Sequence, residues 1–170
     1  MSVLGIIEGR VHRLGDNIDT DVILPGRYLT LRDPDALGRH CLEGVDPGLA
    51  ARLQSGAVLA VGRNFGSGSS REHAVVALKA AGVRAVVAVS FARIFFRNAV
   101  NLGLPVVICA EAAASLEEGA DATVDIAGGR IQQGGRAWAI DPLGQEVTAI
   151  LAAGGLVPRI RRTLRAEPAR

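Results

Sequence analysis

Cysteine is scarce in this 170-residue sequence: Cys41 and Cys109 lie far apart, and neither has a second cysteine at ligand spacing. That pattern argues against a disulfide framework, fits a reducing, cytoplasmic compartment, and predicts that this chain alone holds no metal or cluster. Aromatic residues are also few, at 4%, and the formal net charge is only +2. With neither a basic field nor stacking platforms, the chain is a poor partner for nucleic acid. Apolar runs are short, so no membrane span is expected. Val3-Leu4-Gly5-Ile6-Ile7 is too short for the apolar core of a secretion signal and leads into acidic and polar residues. The basic tail from Arg159 to Arg170 reads as a solvated helix end.

What is present points to an α/β fold. A hydrophobic content of 49% is ample for a core, 21 glycines suit a turn-rich chain, and residues 1–170 make one domain's worth. A strand over Ile6 to Leu14 precedes a polar loop, Gly15 to Asp21. Asp33 caps a short helix with Pro34 in its first position, reaching Cys41. Residues 42–56 read as a connection. Strand Ala57 to Val61, helix Ala74 to Ala81, strand Ala85 to Ser90, helix Phe91 to Leu102 and strand Leu104 to Ala110 form a central β-α-β-α-β unit with a parallel sheet. Short strands follow over Ala122 to Ile126, Arg130 to Gln133 and Ala137 to Ile140, then a last helix from Leu143 to Ala153.

The chemistry concentrates in Gly62-Arg63-Asn64-Phe65-Gly66-Ser67-Gly68-Ser69-Ser70-Arg71-Glu72-His73-Ala74, between a strand and a helix. Helix-start amides lack partners and sit at the positive end of the dipole, so they favour an anion, and Arg71 adds a planar fork for a carboxylate. Ser69-Ser70-Arg71-Glu72 also fits a capping box, and both readings stand at this point. A nucleotide-triphosphate loop is disfavoured because serine follows Gly68 where lysine is needed. A dinucleotide fold is disfavoured because no Asp or Glu lies between His73 and Ala110.

With Asp19-Thr20-Asp21, Asn64 to Ala74, Ser90-Phe91-Ala92-Arg93-Ile94-Phe95-Phe96-Arg97-Asn98, Asn101, Gly103-Leu104-Pro105 and Ala153-Gly154-Gly155-Leu156 in order, the chain resembles small subunits of the isopropylmalate dehydratase and homoaconitase branch of the aconitase superfamily. The resemblance covers nearly the whole chain. It implies a swivelling β/β/α domain and a hydro-lyase that moves a hydroxyl between neighbouring carbons of a small 2-hydroxy di- or tricarboxylate. It also implies a large-subunit partner holding a [4Fe–4S] cluster, in a heterodimer or heterotetramer, while this chain binds no cofactor. By position Ser69 is the base, Arg71 grips a carboxylate and Ser70 adds a hydrogen bond.

The same resemblance assigns specificity to Tyr28-Leu29-Thr30-Leu31-Arg32. Apolar residues there suit an isopropyl group, and an arginine directly after Tyr-Leu suits a third carboxylate. This chain has Thr30 at that position, with Arg32 two residues later. Arg32 either folds back to a carboxylate or faces solvent. Isopropylmalate isomerisation, a step of leucine biosynthesis, is the expected activity. The alternatives are homoaconitase, in lysine biosynthesis through 2-aminoadipate, a dimethylmalate or citraconate dehydratase, or a stand-alone module for small anions. Asp19, Thr20, Asp21, Gly66 and Gly68 are expected to support the loop, and for Asp19 and Asp21 an Asx-type turn competes with a proton-orienting role. His73 stands outside direct substrate contact. Arg93 and Arg97, one helical turn apart, read as a salt-bridged face.

Overall fold

Apolar residues at a period of two and at a period of 3.6 alternate along the chain, and the computed structural model, which describes residues 4–166, turns that alternation into a layered α/β fold. In chain order the elements are β1 (Ile7–Arg13), α1 (Thr20–Ile23), a 3-10 turn (Gly26–Tyr28), α2 (Pro34–Arg39), α3 (Leu49–Leu53), β2 (Ala57–Val61), α4 (Glu72–Ala81), β3 (Val83–Ala88), α5 (Arg93–Asn101), β4 (Val106–Ile108), α6 (Ala110–Ser115), β5 (Asp121–Asp125), β6 (Arg130–Gln133), β7 (Arg136–Ala139), α7 (Gln145–Ala152) and α8 (Leu156–Ala166).

The strands form one sheet in the order β4-β3-β2-β1-β5-β6-β7. Strands β1 to β4 pair in parallel, and β5 to β7 continue the sheet antiparallel. The expected β-α-β-α-β unit is therefore β2-α4-β3-α5-β4. Every residue of β2 is buried, because helices or strands cover both faces of the sheet there. Ala57, Leu59 and Val61 enter the core shared with α4 and α5, while Val58 and Ala60 enter the core shared with α6, β5 and β6.

Three expectations change. The connection over 42–56 contains α3, whose Leu49 and Leu53 are buried. The strand expected to reach Ala110 stops at Ile108, and the alanine-rich Ala110–Ser115 is a helix, as its composition favours. The helix expected over Leu143 to Ala153 is α7, but it is not the last: α8 follows it after Gly154 and Gly155, which adopt φ of +83° and +129°. A Cβ on Gly155 would lie 2.7 Å from the Asn101 carbonyl oxygen, so this break packs backbone against the end of α5. Helix α8 takes up the basic tail as far as Ala166, and residues 167–170 of that tail lie outside the described residues. Among the described residues no helix is long and apolar enough to cross a membrane.

The β2–α4 connection is held by aromatic packing. Phe65 is fully buried, edge-on to Phe91 and Phe95 at centroid distances of 6.2 and 5.2 Å. Its backbone N–H donates to the Ser90 carbonyl, and its own carbonyl accepts from Ala92. Gly66 follows at φ +79°, and a Cβ there would come within 2.1 Å of Phe95 Cγ. Positive φ and a missing side chain are needed at the same residue. Gly66→Ala is expected to cost about 2–5 kcal/mol, from left-handed strain plus overpacking. Urea unfolding checks this, and a loss under about 0.5 kcal/mol would mean the loop leaves Phe95 freely.

Candidate active site

The loop that starts at Gly66 is tied to the start of α1. Gly66 N–H donates to the Ile18 carbonyl at 2.8 Å, and Thr20 N–H donates to the Ser67 carbonyl at 2.8 Å. Asp19 caps α1, its Oδ1 accepting from Val22 N–H at 2.8 Å, so the local-turn role holds for this residue. Thr20 is only 2% exposed, and its Oγ1 lies 3.3 Å from Ser69 Oγ. Gly68, at φ +97°, lets the chain turn over Thr20, since a Cβ there would sit 3.3 Å from that hydroxyl. Asp21 forms an ion pair with Arg71. The structure thus brings Asp19, Thr20, Asp21, Gly66, Gly68, Ser69 and Arg71 together from two distant segments.

The capping-box reading of Ser69 is corrected by the helix boundary. Helix α4 begins at Glu72 with Arg71 as its cap residue, and no side chain caps it. Ser69 and Ser70 precede that boundary and are exposed. Arg71 N–H donates to the Ser69 carbonyl at 2.8 Å, and Asn98 of α5 reaches the Ser70 carbonyl at 3.3 Å. Two hydroxyls and a guanidinium therefore meet a helix start whose first amides have no side-chain acceptor. The arrangement can bind a carboxylate and stabilise an oxyanion beside it.

Leu29, Thr30, Leu31 and Arg32 line a cleft of about 630 Å³ with Pro34, Leu37, His73 and Val76. Leu37 and Val76 carry no polar group, and nothing in their spacing separates cleft lining from core. Tyr28 is placed differently. Its ring stacks on His40 at 3.8 Å with 10° between planes, and Arg27 sits over it at 4.7 Å. Glu43 joins this cluster, pairing with Arg27 and lying 2.9 Å from His40 Nδ1. Burial alone would raise the Glu43 carboxyl, but hydrogen bonds from His40 and Tyr28 and the Arg27 charge outweigh it and hold the carboxyl below its usual range. Sequence reasoning missed this clamp because Glu43 fell in a stretch read as plain connection.

Arg93 and Arg97 are exposed and have no acidic partner among the described residues, which corrects the salt-bridged face. Among the described residues no group of three or more His, Cys, Asp or Glu side chains forms a metal site. Cys41 is fully buried and its thiol is pushed strongly up by that burial, the reverse of a ligating thiolate. Cys109 lies elsewhere, against the Ala139 carbonyl. Neither thiol fits an iron–sulfur cluster.

The family model of the aconitase C-terminal domain matches residues 46–111. The 3-isopropylmalate dehydratase small subunit of Moorella thermoacetica is 49% identical over 162 residues, which span 94% of this chain and 98% of that protein. The methanogen homoaconitase small subunit of Methanothermobacter thermautotrophicus is 46% identical over 162 residues, spanning 94% of each. A crystal structure of 3-isopropylmalate dehydratase from Methanocaldococcus jannaschii matches with a TM-score of 0.89 and 40% identity, covering 95% of this chain and 96% of that one. Fold and loop together define an aconitase-type swivelling domain. Within that class, the chain belongs to the 3-isopropylmalate dehydratase small-subunit family.

The clamp on Tyr28 carries a pH dependence whose sign follows from the lowered Glu43 carboxyl. Its stabilisation is full above the ordinary carboxylate range and is lost as pH falls through the lower folded-state value. Glu43→Gln is therefore expected to lower thermal stability at neutral pH and to narrow the gap to wild type in acid. Melting curves across pH check this, and a gap that widens in acid would contradict the assignment.

Proposed function

We propose that this chain supplies half of the active site of a hydro-lyase that interconverts 2-isopropylmalate and 3-isopropylmalate by dehydration and rehydration, in leucine biosynthesis. It acts as a single swivelling domain over residues 1–170, with a large subunit, in the cytoplasm. The observation that carries this reading is the meeting of Ser69, Thr20, Asp21 and Arg71 at the uncapped start of α4, in a chain of this family.

In this reading Ser69 Oγ takes the proton from the carbon next to a substrate carboxylate. Arg71 exchanges Asp21 for that carboxylate and holds it through two hydrogen bonds, and Ser70 adds a third. The hydroxyl departs from the neighbouring carbon as water, and the double bond is rehydrated with hydroxyl and proton exchanged between the two carbons. A serine alkoxide needs donors placed in advance, and the loop amides, Thr20 Oγ1 and Arg71 are there to provide them. The [4Fe–4S] cluster implied by the family is the large subunit's, since this chain's thiols do not fit one; when bound there it acts as a Lewis acid toward the leaving hydroxyl.

Ser69→Ala is expected to lower kcat about 10³-fold or more with little change in KM, because a base acts mainly in the transition state. Arg71→Lys is expected to lower kcat/KM strongly, since a point charge cannot reproduce the fork. Steady-state assay of the reconstituted enzyme decides, and near-normal turnover in both variants would remove these roles.

Substrate choice rests on the cleft beside the loop. Leu29, Leu31, Leu37 and Val76 give it an apolar wall, worth roughly 1–3 kcal/mol to an isopropyl group. A second reading, homoaconitase, is favoured by Arg32, which lines the same cleft and has no acidic partner among the described residues. Arg32→Ala is expected to leave isopropylmalate turnover nearly unchanged, and Thr30→Arg to shift preference toward homocitrate. If wild type prefers homocitrate and Arg32→Ala abolishes that activity, the second reading is correct.

A further inference from the structure

Arg93 and Arg97 are hard to explain within this chain. They are successive-turn neighbours on α5, where like charges four residues apart repel. Arg93 also occupies the first position of the helix, where the dipole disfavours a cation. Among the described residues no carboxylate offsets either cost.

Their surroundings are apolar and open. The two arginines line a cleft of about 450 Å³ with Gly66, Gly68, Ala92 and Ile94. They also line a second of about 320 Å³ with Phe91, Phe96 and Ile108. Ile94 and Ile108 are 52% and 55% exposed. This patch is continuous with the reactive loop: Gly66 and Gly68 form its edge, and Asn98 of the same helix bonds the Ser70 carbonyl. A body that closes over Ser69 from this side must cover Arg93 and Ile94.

We propose that the patch of Arg93, Ile94, Arg97 and Ile108 is the docking surface for the large subunit, which meets it with carboxylates set among apolar side chains. The proposal rests on the two-subunit reading above. A small dicarboxylate would satisfy the arginines but leave both isoleucines in water, whereas a protein surface resolves charge and apolar exposure together. The apolar stripe of α8, Val157, Ile160 and Leu164, is the competing face. None of its residues lines either cleft, and its Arg159 is already paired with Glu146.

The test measures affinity of the full-length chain for its cognate recombinant large subunit by biolayer interferometry, with activity assayed in parallel. Arg93→Glu with Arg97→Glu, and separately Ile94→Ser with Ile108→Ser, are expected to weaken binding by about 100-fold. Thermal melts of the isolated variants should match wild type, and kcat should recover at saturating large subunit. Ser69→Ala should bind like wild type. Wild-type affinity in both double variants would overturn the proposal, as would loss of binding only on Ile160→Ser with Leu164→Ser. Unchanged affinity with a raised KM would make the arginines a substrate subsite instead. A wild-type complex that forms but turns over neither isopropylmalate nor homocitrate sinks the functional reading, while the affinities still decide the docking surface. Failure of wild type to bind the large subunit overturns the docking proposal itself.

Discussion

The close approach of the Gly66 backbone to the Phe95 ring fixes the geometry of everything downstream of it. Phe65 is buried between Phe91 and Phe95, so the chain enters the loop from a rigid aromatic cluster rather than from a free strand end. Two residues after Phe65, the Ser67 carbonyl accepts from Thr20 N–H across a long sequence gap, which leaves only Gly68, Ser69, Ser70 and the cap residue Arg71 to bridge into α4. A base and a carboxylate grip need placement within a fraction of an ångström, and short spans between packed anchors supply that better than long loops do. The exposure of Ser69 thus coexists with a well-determined position.

Two ion pairs near the site differ in exposure, and exposure decides what each can do. Asp21 is 63% exposed in its pair with Arg71. Such a pair contributes little to stability and can be exchanged for another carboxylate at small cost. Glu43 is only 19% exposed and is engaged at once by Arg27, His40 and the neighbouring Tyr28. That network is poorly exchangeable, so it suits fixing the loop from which Leu29 and Leu31 project. Tyr28 is then an anchor for this loop, and the residues following it line the cleft.

The central unit was legible because β2, β3 and the helices between them combine strong periodicity with clear stops such as Gly82, which takes φ +106° as a left-handed cap. Short elements were not. Helix α3 has five residues and is held by burial of Leu49 and Leu53, a tertiary effect with little local signal. The grouping of Thr20 with Ser69 was visible only through family resemblance, since no local rule links segments so far apart. Arg93 and Arg97 misled in a different way. Their spacing suits an internal salt-bridge face, but spacing cannot say whether a carboxylate from the same chain arrives there, and none does among the described residues.

A serine that must act as a base cannot remain in water, because hydration would hold its proton and screen the dipoles meant to stabilise its anion. Ser69 and Ser70 are exposed in the isolated chain, and the amides at the start of α4 face no capping side chain. The chemistry assigned to them therefore requires a second surface that removes water from one side of the loop. The residues on that side are a cation pair and two solvent-facing isoleucines, a combination that is unfavourable alone and favourable once covered. On the proposed reading, the incompleteness of the site and the unsatisfied patch beside it thus share one physical resolution, the arrival of another chain.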